Sequence, residues 1–311
     1  MTRAVRVGMD FVSALDRGSL RGLQKLCSAD ATWWVDGGPD RAGGDPEGTG
    51  SGRFPLHGVM RMDDKLALMR ERGPATFPTG CRQIPRRVIA GEDSCVIEVE
   101  GYGVHASGSE YANRYGFWFD VDAAGAIVSV REYLDTLHAQ EVVGAGARVP
   151  ARRNVRIPKP TDHSDPAPAA ATALALWPAL ARADLDAFAA LFRADATWWT
   201  DSGRDRARGR LHRRGDIAAG PLHGVVPMAD KLAAMRRRMD SGAYASAAVT
   251  VTPHRWIADD TLVAIEATGD ATLAGGARYQ NRYLWVVDVR PDGIAQVREY
   301  CDTLHIAELM T

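Results

Sequence analysis

Cysteine is scarce in this chain of 311 residues: Cys27, Cys81, Cys95 and Cys301 are scattered without Cys-x-x-Cys spacing. A disulfide framework or a thiolate metal site is therefore unsupported. A run of 18 apolar residues is also missing, as is an N-terminal apolar segment with a small-residue cleavage site, so neither a membrane span nor a secretory leader is expected. The expected location is the cytoplasm. Neither sign of charge dominates: 38 Lys and Arg balance 39 Asp and Glu, and the pI is about 6.7. That removes the broad attraction to phosphate on which a nucleic-acid binder relies, and the basic run 206–214 reads as a solvated loop. Glycine fingerprints for dinucleotides and phosphate loops are absent, which leaves redox chemistry without support. The expectation is no cofactor and no metal.

What the chain has in abundance is itself. Tyr111-Ala112-Asn113-Arg114-Tyr115 followed by Arg131-Glu132-Tyr133-Leu134-Asp135-Thr136-Leu137-His138 returns as Tyr279-Gln280-Asn281-Arg282-Tyr283 followed by Arg298-Glu299-Tyr300-Cys301-Asp302-Thr303-Leu304-His305. Ala29 to Trp34 returns as Ala194 to Trp199, and Pro55-Leu56-His57-Gly58-Val59 as Pro221-Leu222-His223-Gly224-Val225. A unit of roughly 140 residues is a domain rather than a solenoid repeat. The expected boundaries are 1–143 for the first domain and 170–311 for the second, with a proline- and arginine-rich linker at 144–169.

Each unit opens with helical spacing, Phe11, Leu15, Leu20, Leu23 and Leu26 in one and Leu176, Leu180, Leu185, Phe188 and Leu191 in the other. Breaks at Gly18 and Asp184 predict helical hairpins. A short strand follows, ending at Asp36 or Asp201. The stretches 37–53 and 202–220 lack apolar periodicity and read as lids. Next comes a helix with a methionine stripe, read as core, on which Lys65 and Lys231 are expected to be exposed. Three or four long strands close each unit, which indicates an α+β domain.

This order, with Ala-Asp-Ala-Thr entering the first strand and a Tyr-x-Asn-x-Tyr strand beside an Arg-Glu-Tyr-x-Asp strand, resembles the SnoaL-like branch of the NTF2-like superfamily. The resemblance covers both repeats. It implies two cone-shaped, cystatin-like α+β barrels, each with N-terminal helices packed on a curved antiparallel sheet around an apolar pocket, arranged as an intrachain pseudo-dimer. Further homo-oligomers remain open. The fold hosts isomerases, polyketide cyclases, dehydratases and epoxide hydrolases, as well as binding modules, so it does not name a reaction.

Strand periodicity puts Tyr111, Asn113 and Tyr115 on one face, as it does Tyr279, Asn281 and Tyr283. An amide between two phenols suits substrate orientation, or else the amide bonds backbone and the phenols are core. Glu132 and Glu299 stand in apolar rows, where desolvation raises a carboxyl toward acid/base duty; the alternative is a salt bridge to Arg114 or Arg282. The resemblance points to Asp135 and Asp302 as bases, and in second place to Asp36 and Asp201. His57 and His223 are candidate proton shuttles or turn caps. Trp33, Trp198, Tyr133, Tyr300, His138 and His305 complete the candidate substrate contacts. The expected function is a cofactor-independent acid/base enzyme on a small apolar or polyketide-like metabolite. The rival is a non-catalytic ligand-binding or dimerisation module.

Overall fold

The computed structural model describes residues 1–36, 58–144, 167–200, 224–242 and 249–309. In the first unit, α1 (Arg3–Asp16) and α2 (Leu20–Leu26) form a hairpin ahead of β1 (Cys27–Val35). The turn sits at Gly18, whose φ of 62° suits a residue without Cβ, and Ser19 caps α2 by accepting from the Gly22 N–H. β2 (Gly58–Arg61) then leads into α3 (Met62–Thr76), and β3 (Cys81–Ala90), β4 (Ser94–Val104), β5 (Glu110–Val121) and β6 (Ile127–Leu134) make the meander before the short α4 (Thr136–Ala139).

The second unit repeats the plan with α5 (Pro168–Leu174), α6 (Leu176–Ala181), α7 (Leu185–Ala189), β7 (Phe192–Thr200), β8 (Gly224–Pro227) and α8 (Met228–Asp240). β9 (Thr250–Asp259), β10 (Leu262–Thr272), β11 (Arg278–Arg290), β12 (Gly293–Cys301) and α9 (Thr303–Leu309) complete it. Here Asp184 caps α7, and Ala183 takes the left-handed turn position at φ 55°.

The sheets run in the order β2-β1-β6-β5-β4-β3 and β8-β7-β12-β11-β10-β9. They are mixed rather than wholly antiparallel as expected, because β1 pairs parallel with β6 and β7 with β12. A parallel pair needs a long crossover, and everything from β2 to β5 lies between these partners in the chain. The short strands β2 and β8 escaped the sequence reading; each is four residues long, too short to show a period.

Alternation along the strands divides the side chains between two surroundings. Trp33, Tyr111, Tyr115, Phe117 and Phe119 enter the core between the first sheet and its helices. Trp198, Tyr283, Trp285 and Val287 do the same in the second. The opposite faces meet each other: Trp34, Val96, Trp118 and Tyr133 of the first sheet pack with Trp199, Ala264, Leu284 and Tyr300 of the second.

Ion pairs stitch this contact reciprocally. Arg131 Nη1 lies 2.9 Å from Glu266 Oε2, and Tyr133 also donates to Glu266. Arg298 Nε lies 2.6 Å from Glu98 Oε1, and Tyr300 donates to the same oxygen at 2.6 Å. Residue i of one unit thus meets j of the other while the counterpart of j meets the counterpart of i, the pattern of a two-fold interface.

Candidate functional site

Inside each unit, one tryptophan, one glutamate and one lysine converge. β1 and β6 run side by side with Val35 beside Glu132, so the inward residues Trp33 and Glu132 are diagonal neighbours. Trp33 Nε1 donates to Glu132 Oε2 at 2.7 Å. α3 crosses this spot and drops Lys65 into it: the ammonium is 4.0 Å from Glu132 Oε2 and 4.7 Å from the Trp33 ring centroid. In the second unit, Trp198 Nε1 donates to Glu299 Oε2 at 3.0 Å, and Lys231 Nζ sits 4.7 Å from the Trp198 ring centroid.

Lys65 and Lys231, expected at the surface, are only 3% and 8% exposed. The signal was present in the sequence. Met62, Lys65, Leu66 and Met69 fall at i, i+3, i+4 and i+7, so the lysine belongs to the apolar stripe. Burial pushes the Glu132 carboxyl up and the Lys65 ammonium down, each partly opposed by the charge of the other. Burial likewise pushes Lys231 down, against the pull of Glu299. Arg114, expected as an alternative partner of Glu132, pairs with Glu100 at 3.2 Å.

The tyrosines line the same interior. Tyr115 donates to the Tyr111 hydroxyl at 2.8 Å, and Tyr279 and Tyr283 share the equivalent bond. Room for the second ring comes from a glycine on the neighbouring strand: a Cβ on Gly101 would lie 2.6 Å from Tyr115 Cε2, and one on Gly269 2.9 Å from Tyr283 Cε2. Burial raises all four phenols, so they act as neutral donors and acceptors.

In the second unit these residues border a cavity of about 210 Å³. Leu180, Met235, Met239, Val249 and Val251 supply its apolar wall, while Glu299, Lys231, Trp198, Tyr279 and Tyr283 supply its polar floor. Two further lining groups, the buried Thr200 Oγ1 and Trp285 Nε1–H, have no hydrogen-bond partner among the described residues. Such groups cost free energy unless a ligand or water meets them. The first unit differs at corresponding places. In register with Gly101, Gln83 stands where Val251 stands beside Gly269. Phe77 packs on Tyr111 with ring centroids 5.3 Å apart.

Other sequence candidates have structural positions. Asn113 exchanges two bonds with the Asp135 backbone, Nδ2 donating to its carbonyl and Oδ1 accepting from its N–H, both at 3.1 Å; its amide also donates to Tyr111. Asn281 does the same with Asp302. Each amide therefore ties a tyrosine of its own strand to the end of the last strand. Asp135 and Asp302, expected as bases, are fully buried between the units. Asp135 accepts from the His138 N–H and from Thr303 Oγ1, at 3.1 and 2.6 Å, and Asp302 accepts from the His305 N–H and Thr136. A strand end followed at once by a helix turns these carboxylates into helix caps.

His138 and His305 bond to backbone and stack on tyrosines. Their Nε2 atoms accept from the N–H groups of Ala112 and Gln280, and their rings stack on Tyr111 and Tyr279. Tyr133 and Tyr300 belong to the contact between sheets, because they sit one residue beyond the inward glutamates. Asp36 is buried at the end of β1, where its charge is felt by Arg282 and Cys301 of the other unit, away from the Glu132 interior. His57, His223 and Asp201, with the stretches 37–53 and 202–220, lie outside the described residues.

Residues 173–297 match the family model of the SnoaL-like domain. The match falls within the second unit, and the first unit repeats the same strand order in tandem. Among solved structures, the chain is similar to TerC co-crystallized with polyporic acid, at 16% identity over 45% of this chain and 98% of that one, TM-score 0.37. It is also similar to an NTF2-like protein from Burkholderia xenovorans LB400, at 21% identity over 45% and 95%, TM-score 0.34. A third is an NTF2-like protein from Burkholderia thailandensis E264, at 19% over 46% and 97%, TM-score 0.36. No curated protein matches the chain.

Proposed function

We propose that this chain is a cofactor-independent acid/base enzyme acting on a small, largely apolar or polyketide-like metabolite, of the isomerase, cyclase, dehydratase or epoxide hydrolase type. One observation carries the reading: a buried carboxylate and a buried amine stand together on the floor of an apolar cavity, with an indole N–H holding the carboxylate. In the first unit burial pushes the matching Glu132 carboxyl up, toward the range useful for proton exchange near neutrality. Burial moves the lysine beside each glutamate the opposite way.

In this mechanism Glu299 removes or delivers the proton at the reacting carbon or oxygen. Trp198 fixes the orientation of the carboxylate and Lys231 offsets its charge. The Tyr279–Tyr283 pair presents a hydroxyl to a substrate oxygen, with Thr200 and Trp285 as further partners. In the first unit, Glu132, Lys65 and Trp33 are the matching set. The two domains, 1–143 and 170–311 with a linker between, act as an intrachain pseudo-dimer, and the cytoplasm is the proposed location.

The test is native mass spectrometry of the purified chain to capture a bound metabolite, followed by turnover of that compound by wild type and Glu299→Gln. Loss of turnover with retained binding supports the enzyme. Unchanged binding without turnover in either protein makes the pocket a binding module.

A further inference from the structure

Lysine is rare in this chain. Of 38 basic residues, 34 are arginine and only Lys25, Lys65, Lys159 and Lys231 are lysine. Two of those four occupy the same buried position in the two units. A preference for arginine elsewhere makes that placement chemically specific, because the chain readily buries arginine where it needs a permanent cation: Arg131 and Arg255 are 7% and 5% exposed, both in ion pairs with Glu266. Arginine stays protonated in proteins, whereas a desolvated lysine can lose its proton and become a nucleophile.

The surroundings of Lys231 suit that second role. It borders the cavity, its nitrogen lies over an indole face, and its acidic neighbour Glu299 is held by Trp198. Burial lowers the affinity of the amine for its proton.

We propose that Lys231 is a covalent catalytic residue that condenses with the carbonyl of an apolar aldehyde or ketone in the second-unit cavity. Lys231 Nζ passes a proton to the Glu299 carboxylate and attacks the carbonyl carbon, and Glu299 delivers that proton to the carbonyl oxygen. The carbinolamine nitrogen, which still carries two protons, gives one through Glu299 to the hydroxyl, which leaves as water while the freed nitrogen lone pair forms the C=N bond. The sum is ammonium and carbonyl compound in; iminium and one water out, with the Glu299 carboxylate regenerated. Glu299, now ionised, is placed to remove a proton from the carbon next to the iminium. This proposal rests on the acid/base reading of the same pocket and names its substrate class.

The test uses the full chain with benzaldehyde and sodium cyanoborohydride, which reduces an iminium to a stable secondary amine. Peptide mass mapping then locates the gain of one benzaldehyde mass less one oxygen. Lys25, exposed on α2, gauges ordinary amine reactivity in the same tube. Labelling of Lys231 on the order of tenfold or more faster than Lys25, slowed in Glu299→Gln, is the expected result. Labelling of Lys231 no faster than Lys25 overturns the proposal. Benzyl alcohol, which binds without condensing, separates the two ways of failing. If it perturbs tryptophan fluorescence while Lys231 stays unlabelled, only the covalent step falls. If it neither binds nor protects, the pocket reading falls as well.

Discussion

Thr303 Oγ1 donates to Asp135 Oδ1 at 2.6 Å across the contact between the two units, and Thr136 returns the same bond to Asp302. The carboxylates that stand where a base was expected are therefore spent on joining the units. Asp135→Ala or Asp302→Ala is expected to cost about 1–3 kcal/mol, the penalty for leaving buried partners unmet. Urea unfolding should show that loss. Ligand binding by the folded fraction should stay at the wild-type value, and a selective loss of turnover with full stability would return these residues to the chemistry.

Glu266 makes stability depend on acid. Burial by itself pushes its carboxyl up, but the guanidiniums of Arg131 and Arg255, with hydrogen bonds from Arg255 and Tyr133, bring it down to about 2. A carboxyl whose folded value is depressed stabilises the fold above its unfolded value, near 4.5, and that contribution disappears as pH falls toward 2. Thermal unfolding between pH 6 and pH 2 should therefore show a falling midpoint in wild type. Glu266→Gln should lose about 3–5 kcal/mol at neutral pH, because it strands buried arginines, and show a shallower acid dependence.

Trp198→Phe removes one indole N–H from Glu299 while keeping most of the apolar area. A hydrogen bond to a charged group contributes about 1.5–3 kcal/mol, so a turnover loss of roughly tenfold or more is expected with the fold retained. Circular dichroism checks the fold, and rates with the captured metabolite check the chemistry. Undiminished rates would show that the indole bond does not set the carboxylate.

Gly269→Ala would place its Cβ 2.9 Å from Tyr283 Cε2 and 3.3 Å from Val249 Cγ1. Overpacking of this kind costs about 1–3 kcal/mol and displaces the tyrosine from its bond with Tyr279. Ligand affinity in the second cavity should fall together with the melting temperature. An unchanged affinity would separate the tyrosine pair from binding.

Much of this protein was legible along the chain. The duplication, the helical hairpins at Gly18 and Asp184 and the long strands follow from local spacing and turn chemistry, which depend on neighbours only a few residues away. The inward glutamates were legible too, since alternation places Glu132 with Val130 and Leu134 on one face of β6. Tertiary structure decided the remainder. Trp33 and Trp34 are adjacent and chemically alike, but one holds the candidate base and the other packs between the units, because a pleated strand sends neighbours to opposite faces and only packing says what each face meets. The same cause set Tyr133 in the contact between the sheets and placed Lys65 and Lys231 beside the inward tryptophans. A carboxylate or an amine takes its role from what desolvates it and what it touches, and for these residues that is set by strands and helices distant in the chain.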